Sequence, residues 1–210
     1  MPLNIGSSGE AANYLKFNAK SGRLAINDAE GDQIEIANLT AIFDLERIVT
    51  GWLRFREGQA PERLLDHPNG GSAPRPEGEG FKRGFVLQVY SRNALGGVRE
   101  MSGNSLHLCN AVNALYADWE AGRDEHRGQV PVVVLDSVQP MKDRYGTNYR
   151  PVFRITKWVE RPADLVEVVA VESNVQAPGA RTSAPSGGQK PVAPPSQSPP
   201  QADPMMSSEF

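Results

Sequence analysis

Trp52-Leu53-Arg54-Phe55-Arg56 places an indole beside two guanidinium groups. In a strand, successive side chains face opposite ways. Leu53 and Phe55 then turn to the core, and Trp52, Arg54 and Arg56 share the outer face. An exposed ring stacks on an unpaired base, worth ~1–3 kcal/mol. A guanidinium grips a phosphate through two parallel hydrogen bonds. This is the chemistry that a single-stranded nucleic acid needs. The alternative reading puts Trp52 in the core and leaves the arginines merely solvated.

The pattern returns twice. Over Tyr149–Val159, strict alternation gives one face to Arg150, Val152, Arg154, Thr156 and Trp158. The other face takes Phe153, Ile155 and Val159, with Lys157 among them. The turn before it, Lys142-Asp-Arg-Tyr-Gly-Thr-Asn-Tyr149, adds Lys142, Arg144, Tyr145 and Tyr149, aromatics spaced by polar residues in basic surroundings. Both tyrosines are equally suited to packing against the end of a barrel. In Lys82–Arg92 the core series is Phe85, Leu87 and Val89. Val86, Gln88, Tyr90 and Arg92 face the other way. Tyr90 is a candidate stacker there, and Lys82, Arg83 and Arg92 are candidate phosphate contacts.

Catalytic chemistry finds few residues. There is no Gly-rich phosphate loop, no His-x-x-x-His and no nucleophile elbow. His67, His107 and His126 are scattered and Cys109 is the single cysteine, so neither a metal cluster nor a disulfide framework is expected. Cys109 lies on a helix and reads as a small core residue rather than a nucleophile. Asp66-His67 sits in a loop rich in Pro and Gly, a poor place for preorganised chemistry. The acids of Asp28–Asp32 read as a solvated turn. No cofactor is expected, and the chain reads as a non-enzyme.

The elements that must position these residues are mostly strands. Ala12–Phe17 and Arg23–Asn27 suggest a hairpin around Ser21-Gly22, and Gln33–Ile36 follows a turn at Glu30-Gly31-Asp32. Ile42–Phe55 is a long β-rich stretch interrupted at Thr50-Gly51. Gly58–Gly80, with Pro61, Pro68, Pro74 and Pro76, allows no long element. Arg83–Ser91 is a strand, which Gly97–Met101 pairs across Asn93–Gly96. Ser102–Ala121 is the one strong helix, with Leu108, Val112, Leu115, Tyr116 and Trp119 in a single apolar stripe. Ser102 or Asn104 caps its start and Gly122 ends it. Val130–Leu135 is a buried strand and Tyr149–Val159 the last one. The order fits a mainly β fold: an OB-fold-like barrel, or a curled antiparallel sheet with one helix.

The net charge of −3 disfavours a uniformly basic binder, but local charge decides where a phosphate backbone can lie. Lys82–Arg99 carries four cations and no acid, and Lys142–Arg161 carries six cations against two acids. No run approaches the ~18 apolar residues of a membrane span, and no secretory leader is visible, so a soluble, cytoplasmic protein is expected. Residues 1–173 suit one ordinary domain. Asn174–Phe210 holds eight prolines and one aromatic among Ser, Ala, Gly and Gln, a composition that reads as disordered. It ends in Asp203-Pro-Met-Met-Ser-Ser-Glu209-Phe210, an acidic and hydrophobic tip suited to a partner protein's pocket. Such a leash and tip resemble the tail of bacterial single-stranded-DNA-binding proteins, which recruits replication and repair enzymes.

The domain is also similar to the single-stranded-DNA-binding proteins of tailed phages. The stretches that carry this are Tyr14-Leu-Lys-Phe-Asn-Ala-Lys-Ser-Gly22, Gly51-Trp-Leu-Arg-Phe55 with Glu57-Gly-Gln-Ala-Pro61, Lys82-Arg-Gly-Phe85, Gly97-Val-Arg-Glu100 and Lys142–Phe153. They span residues 12–160 or so. The resemblance implies an OB-like core that coats single strands during phage replication and recombination, in the host cytoplasm. Assembly into a homo-oligomer is compatible with it. Two other roles fit the same residues: a recombination accessory that anneals strands or assists a nuclease, and a protein-interaction module whose basic patches meet an acidic partner.

Overall fold

The computed structural model describes residues 13–28, 30–56, 59–144 and 146–165. Tyr145, the boundary proposed at 173/174, the tail and its tip residues Asp203, Glu209 and Phe210 lie outside them.

Among the described residues, ten strands and one long helix make a mainly β fold. The first hairpin forms where the alternation predicts it. Strands β1 (Leu15–Asn18) and β2 (Arg23–Asn27) pair antiparallel, and β2 pairs in turn with β3 (Gln33–Ile36). Gly22 closes the turn at φ 73°, and a Cβ there would stand 2.9 Å from Val138. Glycine is therefore required for both its backbone and its size.

The main sheet runs in the order β10-β9-β4-β7-β5-β6, with β8 on the other edge of β7. Its members are β4 (Thr40–Phe43), β5 (Val49–Arg54), β6 (Glu62–Leu65), β7 (Lys82–Ser91), β8 (Gly97–Gly103), β9 (Gln129–Asp143) and β10 (Gly146–Glu160). Together β4 and β5 form one interrupted strand along β7. Phe43 opposes Val89 and Val49 opposes Val86, so five residues face two. The three extra residues are a single 3-10 turn, Leu45–Arg47. The interruption thus falls at Asp44–Ile48, not at Thr50-Gly51. Gly51 stays in register between β6 and β7, where a Cβ would meet the Leu64 carbonyl at 2.5 Å.

Helix α2 (Leu106–Gly122) starts later than the sequence suggests, because Ser102 and Gly103 still belong to β8, and Ser105 takes the N-cap position. Its buried stripe is Leu108, Ala111, Val112, Leu115 and Trp119. The stripe packs with Leu15, Leu24, Phe43, Leu87, Val89, Met101 and Phe153 into one core. Cys109 lies at its margin, and burial pushes its thiol pKa up, in keeping with a packing role.

The sheet curls but does not close. A parallel bridge from Tyr14 to Glu100 joins β1 to β8, and at the other end the Tyr149 amide donates to the Ala19 carbonyl of the β1–β2 turn. The second link is a single bond, not a strand pairing, so the arrangement is a curled antiparallel sheet with one main helix, without a closed barrel. Asp44, buried at 1% exposure, is met by the Arg161 guanidinium across 117 residues of sequence. Arg161 also reaches Glu46. Among the described residues no helix is long and apolar enough to cross a membrane.

Candidate nucleic-acid interface

Strand alternation separates Trp52 from Leu53 as expected. Leu53 is fully buried and Trp52 half-buried on the opposite face. By register, Arg83 stands beside Trp52 across the β5–β7 pair. The segment 66–81, where the prolines prevent a long element, folds across this face. Ala73 and Phe81 are buried, and the Trp52 indole Nε1 donates to the Ala73 carbonyl at 3.0 Å. Arg75 and Arg83 each hold a guanidinium 5.6 Å from the indole centroid, and Arg54 lies 4.2 Å over the Phe81 ring. Such cation–π contacts stabilise by ~0.5–1 kcal/mol each at exposed sites.

The arginines here already have carboxylates. Arg83 donates twice to Asp66, which also accepts from the Thr50 hydroxyl and the Ala73 amide. The Arg83 guanidinium first, then Thr50 and Ala73, hold the Asp66 carboxyl far below the usual carboxylate range, against the opposing effect of its burial. Arg54 pairs bidentately with Glu62, and Arg56 approaches the same carboxylate at 3.5 Å. Arg83 remains 42% exposed and Arg56 50%, so both stay within reach of a phosphate. Arg75 and Lys82 are exposed and carry no ion pair among the described residues. Register puts Lys82 opposite Leu53, on the other face from Trp52.

Strand β10 is separated from β5 by β9, β4 and β7, so its cations form a second patch rather than an extension of the first. Arg150 donates to Gln139 and Arg154 pairs with Asp136, both across the β9–β10 hairpin. Lys142 and Arg144, near the hairpin tip, are exposed. Trp158 does not share their face. A register shift between Ile155 and Lys157 inserts one residue and reverses the alternation. Trp158 therefore joins Phe153 and Ile155 against the core, stacks on His126 at 4.7 Å and presses on Gly122 of α2. Tyr149 packs on the β1–β2 turn at Gly22. Tyr90 is half-buried between Ile42 and Val98, and Arg92 opens a short helix, α1 (Arg92–Leu95), instead of extending β7.

Phe55 corrects the reading of β5 in the other direction. The strand ends at Arg54, and Phe55 is 44% exposed instead of facing the core. It lines an open groove of about 690 Å³ with Tyr14, Lys16, Phe17, Arg56 and Leu108. Tyr14-Leu-Lys-Phe17 reads as a hairpin strand that also carries part of the family resemblance, and its alternation alone does not reveal a groove. Its ring, cation, ring spacing repeats the pattern that singled out Trp52–Arg56. At the groove wall Arg63 pairs with Glu100 and reaches the Tyr14 hydroxyl at 3.4 Å. Burial works against the Arg63 charge, and Glu100 and Tyr14 together more than offset it.

Among the described residues no group of three or more His, Cys, Asp or Glu side chains is placed to hold a metal ion. Fold and surface together define a mainly β protein whose cation-flanked aromatics lie at one end of a curled sheet. Comparison with known proteins finds no matching family model, no matching curated protein and no matching solved structure.

Proposed function

We propose that this protein binds single-stranded DNA without reading its sequence, as part of DNA replication or recombination. The observation that carries the proposal is the half-buried Trp52 indole flanked by Arg75 and Arg83, with Arg54 and Arg56 continuing along the same strand end. Bases stack on aromatic faces whatever their identity, and guanidinium groups follow the backbone. The cations of β10 and the hairpin tip, Lys142, Arg144, Arg150 and Arg154, offer a second contact for a longer strand. The role is one of binding rather than turnover, with the tip Asp203–Phe210 recruiting a replication or repair protein. The composition of the tail supports that last point.

The test is a titration of labelled oligo-dT and of a duplex of equal length. Single strands should bind far more tightly, and for ~5 neutralised phosphates log K should fall with log salt at about −3.5. Trp52→Ala should weaken oligo-dT binding by ~1–3 kcal/mol. Equal affinity for duplex, or no salt dependence, would reject the proposal, and no binding to either ligand would favour a protein-interaction module. Annealing of complementary strands would point to the recombination accessory.

A further inference from the structure

The Trp52 surface leaves the groove beneath Phe55 without a role. The groove holds three aromatic side chains, Tyr14, Phe17 and Phe55, above the apolar Leu108. Phe55 is 44% exposed just past the end of β5 and lines the groove together with the other two rings. The charges around it are uneven. Glu100, its carboxylate, is spoken for by Arg63 at 2.8 Å. Lys16 is exposed, with one hydrogen bond to Asn27 at 3.4 Å. Arg56 shares Glu62 with Arg54, which holds that carboxylate through two bonds. Among the described residues the groove therefore offers aromatic side chains and net positive charge together. An apolar peptide would use the rings but leave the cations idle, and a duplex could not enter.

We propose that this groove is a nucleobase site, which takes one or two unstacked bases of a single strand while Lys16 and Arg56 hold the adjoining phosphates. The volume of about 690 Å³ lies within the ~300–1,000 Å³ of ligand pockets. Arg54 and Arg56 connect it to the Trp52 surface, so the strand passes from one to the other around the end of β5. This inference rests on the single-strand reading and adds where bases, rather than phosphates, are held.

The experiment compares oligo-dT with an abasic deoxyribose-phosphate oligomer of equal length and charge, using the full chain. The wild type should prefer oligo-dT by roughly 10-fold or more, since each stacked base contributes ~1–3 kcal/mol. Phe55→Ala should lose about 5- to 10-fold for oligo-dT and leave the abasic oligomer unchanged. Phe55 is exposed, so the variant should fold, and a circular-dichroism melt checks this. Phe55→Trp should give an indole quenched by oligo-dT and not by the abasic oligomer. Equal losses for both ligands, or no loss for either, overturn the groove assignment while leaving the Trp52 surface standing. Failure of the wild type to bind oligo-dT at all overturns both.

Discussion

Replacing Asp66 by Asn should weaken the fold and strengthen DNA binding at once. The carboxylate accepts four hydrogen bonds, two from Arg83 and one each from Thr50 and Ala73. Asparagine keeps one acceptor oxygen and turns an amide donor toward groups that also donate. Hydrogen bonds to charged groups contribute ~1.5–3 kcal/mol each. Arg83 is 42% exposed and water recovers part of the loss, so a net cost of about 1.5–2 kcal/mol is expected, from the lower end of that range. The pH dependence has a definite sign. A carboxyl whose folded pKa is depressed contributes stability above its unfolded value near ~3.9, and that stability is lost as pH falls below it. The gap between wild type and Asp66→Asn should thus be full at pH 7 and shrink from pH ~5 downward. On DNA the variant frees the Arg83 guanidinium for one more phosphate. The slope of log K against log salt should steepen by ~0.7, and low-salt affinity should rise by ~2- to 5-fold, the equivalent of one exposed ion pair. Urea denaturation at several pH values and oligo-dT titrations at several salt concentrations measure both. Weaker DNA binding with an unchanged slope would refute the reasoning, because Asp66 would then be aiming Arg83 rather than competing for it.

Trp158→Ala should destabilise the fold by about 2–4 kcal/mol, since the indole bridges His126, Gly122 and the core. Oligo-dT affinity of the folded protein should stay within ~2-fold, and a large specific loss would return Trp158 to the binding surface. Gly51→Ala should cost about 2–3 kcal/mol in urea denaturation, because its Cβ meets main-chain atoms that cannot move without parting β5 from β6. Removing residues 174–210 should leave the melting temperature within a few degrees, because a segment of that Pro-, Ser- and Gln-rich composition is expected to add almost no buried area. A large drop would show that the segment packs on the core. Deleting Phe210 alone should remove a replication or repair protein from pull-downs, and identical partner sets would refute a recruiting tip.

Local periodicity made much of this fold legible. The first hairpin, β3, the Phe85, Leu87 and Val89 series and the stripe of α2 follow from patterns of two and 3.6 residues. Where the sequence misled, an extra residue or a distant partner intervened. The 3-10 turn at Leu45–Arg47 shifts the register, and the irregularity after Ile155 turns Trp158 inward. Neither leaves a mark in composition. Alternation sends Phe55 to the core only if β5 runs one residue further, and the strand ends at Arg54. Of the surface itself, Trp52, Arg54 and Arg56 are readable as a group, and Arg83 joins them only through the β5–β7 register. Their partners Asp66, Glu62 and Arg75 are not readable, because the loop that brings them back has no periodicity to extrapolate.

The clamp between Arg161 and Asp44 bears on how this chain is made. Asp44 emerges early from the ribosome, and its neighbours Phe43 and Leu45 are fully buried with it. Until residue 161 has been synthesised, a core closed around Asp44 encloses a carboxylate with no countercharge, a penalty of ~3–5 kcal/mol when one partner of a buried pair is missing. A chain that lacks Arg161 should therefore settle less readily than the finished one. Nascent chains of increasing length should become protease-resistant only once Arg161 has left the exit tunnel. Resistance appearing before that point would show that the clamp has no part in timing the fold.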